Sequence, residues 1–148
     1  MAGLLYRANS GVVALTGSTA RTVIQLVAPT NHRLVIHWLA FHFDGTDATA
    51  GKVLFRGLKQ TTAGTGTSLT LVPCGTYTET LQTTATHSHT GTEPTASTVK
   101  LHRKLDPTRE SIYEFPGRTL DIPGGERFGF ELTSATNINV TVEALCEE

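Results

Sequence analysis

Six histidines and two cysteines are the residues of this chain best able to hold a metal or a reactive group. His87-Ser88-His89 sets two imidazoles two residues apart, a spacing that turns both to one side of an extended chain. Two imidazoles fall short of the three or four ligands zinc requires. A third would have to come from Glu93, His102 or another subunit, so His87 and His89 are weak metal candidates and no cofactor is expected. His37 and His42 are five residues apart. On one strand they face opposite sides and cannot share an ion. Cys74 and Cys146 lie outside any Cys-x-x-Cys pair, so zinc and dithiol redox motifs are absent. Two reduced, packed thiols are the default reading, with a disulfide left open.

Other catalytic signatures are missing. Gly-x-Ser-x-Gly does not occur, and Thr65-Gly66-Thr67-Ser68 lacks the strand, elbow and helix of a nucleophile turn. Gly124-Gly125 and Gly129 precede no helix whose N-terminus would bind phosphate. A carboxylate pair for glycoside hydrolysis has little to draw on, because the strand-like segments carry few acids. No catalytic residue is assigned, and the chain reads as non-enzymatic.

The elements that would position any site are strands. Threonine is about one residue in six and there are 14 glycines, which favours strands punctuated by turns. Residues 23–28 and 34–43 are long apolar runs separated by Pro29-Thr30-Asn31-His32-Arg33, which predicts a pair of strands joined by a turn. Residues 44–51 and 61–68 read as polar loops. Residues 52–60 read as a strand with Gly57 a candidate bulge. Residues 75–97 form a long Thr-rich excursion with at most one short strand at 77–81. Phe128, Phe130 and Leu132 alternate with polar neighbours, as do Ile138, Val140, Val142 and Ala144. Ser134-Ala135-Thr136-Asn137 between them predicts a terminal hairpin. The sum is an all-β domain of about eight to ten short antiparallel strands at roughly ten-residue spacing, a β-sandwich or jelly-roll-like barrel. It spans residues 11–148, preceded by an N-terminal arm at 1–10.

Net charge is −1, so no global basic field suits nucleic acid or a membrane. The only basic cluster is Lys100, His102, Arg103 and Lys104, read as a solvated strand edge. Residues 1–70 hold six Lys/Arg and two Asp/Glu, a sum of +4; residues 71–148 hold six and eleven, a sum of −5. Neighbouring copies could use that asymmetry to pack head to tail. The N-terminus lacks a signal-peptide pattern, and no run reaches the ~20 apolar residues of a membrane span. Residues 34–43 are apolar on both faces, and a two-layered domain needs only one for its core. The surplus face points to assembly.

Four segments carry a resemblance: TARTVIQLVAPTNHRLVIHWLAFHFDGT, RGLKQTTAGTGTSLTLVP, TEPTAS and IPGGERFGFELTSATNINVTVEA. In order and texture they resemble small tailed-bacteriophage virion proteins, the capsid decoration (cement) or head-stabilising proteins of β-sandwich or jelly-roll type. The resemblance implies a homotrimer on the exterior of an icosahedral shell, made in the host cytoplasm, clamping the major capsid protein. The two-faced strand places Leu34, Ile36, Trp38 and Phe41 at the expected subunit interface. Leu4, Leu5 and Tyr6 of the arm are the expected contacts to a neighbour or the shell. The alternative is a phage tail or receptor-binding module for carbohydrate or a host surface, whose mark would be exposed aromatics in residues 75–97.

Overall fold

A computed structural model of the chain describes residues 3–44, 51–117 and 120–148. The described residues form thirteen strands: β1 (Leu5–Asn9), β2 (Val13–Leu15), β3 (Ala20–Val27), β4 (Leu34–Asp44), β5 (Val53–Gln60), β6 (Thr67–Leu69), β7 (Val72–Pro73), β8 (Thr84–His87), β9 (Ala96–Leu105), β10 (Ser111–Glu114), β11 (Asp121–Ile122), β12 (Arg127–Thr133) and β13 (Ile138–Glu147). Most of the expected 44–51 loop lies outside the described residues.

Two antiparallel sheets face each other. One has the order β10-β4-β13-β1-β7, with β11 paired to β4 and β2 to β13. The other runs β6-β8-β3-β12-β5-β9. Neither sheet closes on itself, so the fold is a sandwich and not a barrel. Four strands from each sheet, β1-β13-β4-β10 and β3-β12-β5-β9, give the connectivity of a double-sheet jelly roll, with the first strand beside the last.

The alternation seen in the sequence drives this layering. Phe128, Phe130 and Leu132 of β12 point inward, as do Val140, Val142, Ala144 and Cys146 of β13. A chain of rings crosses the interior. Phe41 lies 4.7 Å from Phe55 and 6.2 Å from Tyr113, Phe55 lies 6.4 Å from Phe130, and Phe130 lies 5.8 Å from Phe128. Tilted and edge-on pairs of this kind each add about 0.5–1.5 kcal/mol beyond the area they bury.

Both expected hairpins are corrected. β3 and β4 lie in opposite sheets, and so do β12 and β13. The short links at residues 28–33 and 134–137 cross between layers. Alternation alone fits either arrangement, because two strands with one apolar face can stack face to face as readily as pair edge to edge. The first link sits on the Pro123–Glu126 turn, where Gly125 has φ 79° and donates its N–H to the Ala28 carbonyl at 3.1 Å. A Cβ on Gly124 would stand 2.7–2.9 Å from the carbonyl oxygens of Thr30, His32 and Pro29. Gly124→Ala is therefore expected to destabilise the fold by about 1–3 kcal/mol, the range for overpacking, read as a lowered urea midpoint.

The N-terminal arm docks as a strand on its own chain. β1 is an internal strand of the seven-stranded sheet, with Tyr6 opposite Cys146 and Arg7 opposite both Leu145 and Val72. Within residues 75–97 the expected strand at 77–81 is absent, and β8 forms instead, paired with β3 and β6. Gly57 does mark a register slip between β5 and β9, but the extra residue is Lys100 on β9.

The thiols have opposite settings. Cys74 is exposed and Cys146 buried, both unpaired with one another. Burial, the largest influence, pushes the Cys146 thiol far above its ordinary range. A thiolate-directed reagent should label one cysteine per native chain and two after denaturation; rapid double labelling of the native protein would contradict this burial.

Candidate interaction face

The outer surface of the seven-stranded sheet is assembled by one irregularity in β4. Leu145 pairs with Trp38 and Cys146 with Ile36, leaving His37 as an extra residue on β4. Such a bulge resets the alternation of the strand. Leu34 and Ile36 point into the core before it, and Leu39 and Phe41 after it. Val35, Trp38, Ala40 and His42 are left on the outer side of the sheet, where Val35 and Ala40 are covered by their neighbours and Trp38 and His42 are half-buried.

This corrects the expected interface set. Leu34, Ile36 and Phe41 are fully buried within their own subunit and cannot meet another. Trp38 alone of the four lies on the surface side, half-buried. Of the expected arm contacts, Tyr6 is fully buried, so it too is lost to any neighbour. Leu4 and Leu5 are half-buried; Leu4 donates its N–H to the Glu148 carbonyl at 2.9 Å.

Register then composes the face, because directly opposed residues share a side. A central row runs Glu114, Trp38, Leu145, Arg7, Val72 across five strands. Beside it run Ile112, Ala40, Glu143, Asn9 on one flank and Asp121, Val35, Glu147, Leu5 on the other. The Arg7 guanidinium lies 5.8 Å from the Trp38 ring centre, within cation–π range. Glu143 accepts from the Asn9 amide at 2.5 Å, and Glu147 meets His37 Nε2 at 2.8 Å. His42 lies 3.7 Å from Glu110 and 3.8 Å from Glu143. Ile112 is 57% and Val72 59% exposed. The result is apolar side chains interleaved with fixed charges, without the convergent acid, base and nucleophile of an active site. Arg7, Val72, Ile112 and Leu145 were not picked out in the sequence, since only the register brings them beside Trp38.

The outer surface of the six-stranded sheet is covered in part by the chain itself, over Thr22 and Gln25 of β3. Residues 61–66 and 88–95 lie over it, tied by Thr61 N–H to the Thr95 carbonyl at 2.8 Å and Thr65 N–H to the Thr92 carbonyl at 2.7 Å. Beneath them is a buried amide network. Gln25 Nε2 donates to Gln60 Oε1 at 2.8 Å and to the Thr62 carbonyl at 2.9 Å; Gln60 Nε2 donates to Thr22 Oγ1 at 3.1 Å. Glu93 Oε2 accepts the Thr22 N–H at 2.8 Å. Burial raises the Glu93 carboxyl, partly offset by that hydrogen bond.

The histidine pair belongs to this covering. Ser88 has φ 53°, which breaks the extended geometry that would aim both rings one way. His87 Nδ1 lies 2.9 Å from its neighbour Ser88 Oγ. His89 is 1% exposed, with Nε2 3.1 Å from Thr86 Oγ1 and Nδ1 buried without a partner. Among the described residues no three His, Cys, Asp or Glu gather to hold a metal. Glu93 is engaged with Thr22, and His102 lies on β9, with three strands between it and β8 in the sheet.

Burial, then the neighbouring His87, holds the His89 imidazole below its usual range. A depressed histidine contributes stability above its unfolded value of about 6.5 and loses it as pH falls below that value. Glu93, raised by burial, acts in the opposite sense at lower pH. Urea midpoints should therefore fall between pH 7.5 and 5.5 in the native chain and fall less in His89→Gln; equal slopes would contradict the burial of a neutral ring.

No family model matches the chain, and no curated protein matches it. Among solved structures it is similar to the Yersinia pseudotuberculosis-derived mitogen, with a TM-score of 0.40 and 11% identity, covering 93% of this chain and 83% of that chain.

Proposed function

We propose that the chain is a structural, non-enzymatic virion protein that decorates an icosahedral phage capsid as a homotrimer and stabilises the shell from outside. One observation carries the reading. The two broad surfaces of the sandwich are treated differently: one is covered over Thr22 and Gln25 of β3 by the chain's own loops, the other is left open around Trp38, Ile112 and Val72. An open apolar surface held flat by a sheet and rimmed by charge suits a protein partner. The sequence resemblance supplies the partner class, the major capsid protein, and the exterior location. Trimers act there by multivalency: several modest contacts per trimer combine through high effective concentration.

A tail or receptor-binding module is less well supported. Tyr77 is the single aromatic of residues 75–97; it is 37% exposed, with its hydroxyl against the Leu5 N–H at 3.4 Å and its ring against Gly75. Co-sedimentation with undecorated capsids tests the proposal. Saturable binding at a copy number divisible by three is the expected result. Absence of binding at micromolar concentration would overturn it in favour of the second reading.

A further inference from the structure

We infer that copies of the chain join head to tail, with the β9 edge of one copy seated on the Trp38–Ile112 face of the next, so that the contact closes into a ring. The inference rests on the trimer reading above and adds which two surfaces meet.

β9 is the outermost strand of the six-stranded sheet, ten residues long and solvent-facing along most of its length. Its four ionisable residues, Lys100, His102, Arg103 and Lys104, are all basic-type side chains. Lys100 and Lys104 take part in none of the ion pairs among the described residues. Val99 on the same strand is 49% exposed. β9 also carries two register slips, at Ser97 and Lys100. Slips and lysines are the devices that stop an edge from pairing with a foreign strand. Contact through β9 is therefore made by side chains.

The other sheet offers the complement. Glu110 and Glu114 flank the exposed Ile112, and Glu143 lies in the same row as Ile112. Glu114, like the two lysines, has no ion-pair partner among the described residues. Charge decides the symmetry. A twofold contact between two β9 edges would set lysines against lysines. A twofold contact between two β10 edges, which carry Glu110 and Glu114, would set glutamates against glutamates. Contact of β9 with the β10 side of the face opposes unlike charges, and it is heterologous: such a contact gives a ring where its rotation closes, which the trimer reading requires, and an open filament where it does not.

The experiment is light scattering after size exclusion on four chains: native, K100E/K104E, E110K/E114K and the fourfold charge swap. Native chains are expected to be trimers whose dissociation constant rises with salt. Each double variant should weaken assembly by at least tenfold, and the fourfold swap should restore it. Far-ultraviolet circular dichroism checks that each variant is folded, and the salt dependence of the native chain gives a reading that needs no variant. Trimers indifferent to salt and to all three variants would overturn the edge-to-face assignment alone. A native chain that stays monomeric would overturn the trimer reading beneath it.

Discussion

Phe41→Ala is expected to lower the folding stability of the isolated chain by about 3–5 kcal/mol, the range for deleting a buried phenylalanine. Phe41 has no exposed surface and stands between Phe55 of the facing sheet at 4.7 Å and Tyr113 of its own sheet at 6.2 Å. Truncation removes the transfer free energy of the ring and both aromatic contacts, and it opens a cavity that close packing cannot collapse. The loss falls on folding, because the side chain never reaches the surface. A urea titration with an unchanged denaturant slope would check it. A variant of native stability that no longer assembles would place Phe41 at a subunit contact and contradict the inward setting imposed by the His37 bulge.

Trp38→Ala is expected to do the reverse. The side chain is half-buried, held between its cross-strand neighbours Leu145 and Glu114 with Arg7 over its ring. Its removal should cost the isolated fold only about 1–2 kcal/mol of area burial. At the centre of an interface a tryptophan is worth about 2 kcal/mol or more, so the trimer should weaken roughly thirtyfold. Analytical ultracentrifugation of the variant across micromolar concentrations reads this directly. Together the two substitutions separate the two sides of one strand.

Why these two residues exchanged significance is a matter of what alternation encodes. Residues 34–43 show period-two apolar content on both faces, so the strand itself is legible, but a single unpaired residue shifts every later side chain to the other face. His37 carries no local mark of that role. The bulge arises from how β4 meets β13, at the far end of the chain. The same limit explains the hairpins: Phe128–Leu132 and Ile138–Ala144 announce their inward faces clearly, yet nothing in them states whether the inward faces will share a sheet or oppose one another. β8 was hidden for a different reason. Thr84-Ala85-Thr86-His87 has almost no apolar contrast, and it is a strand because β3 and β6 supply backbone partners on either side. β1 likewise draws its place from β13 and β7. Of the candidate surface, Trp38 was visible by residue type, the Lys100–Lys104 cluster by charge, and the remaining members only through register.

Trp38 is the single tryptophan of the chain, so its fluorescence reports on the open face without any label. The decisive measurement is acrylamide quenching of the native protein from nanomolar to micromolar concentration, with mass followed in parallel. Quenching is expected to fall and emission to shift to the blue as the mass rises to three times 15.9 kDa. Quenching that stays constant while the mass triples would show that the copies meet elsewhere and that the open face around Trp38 is not their contact.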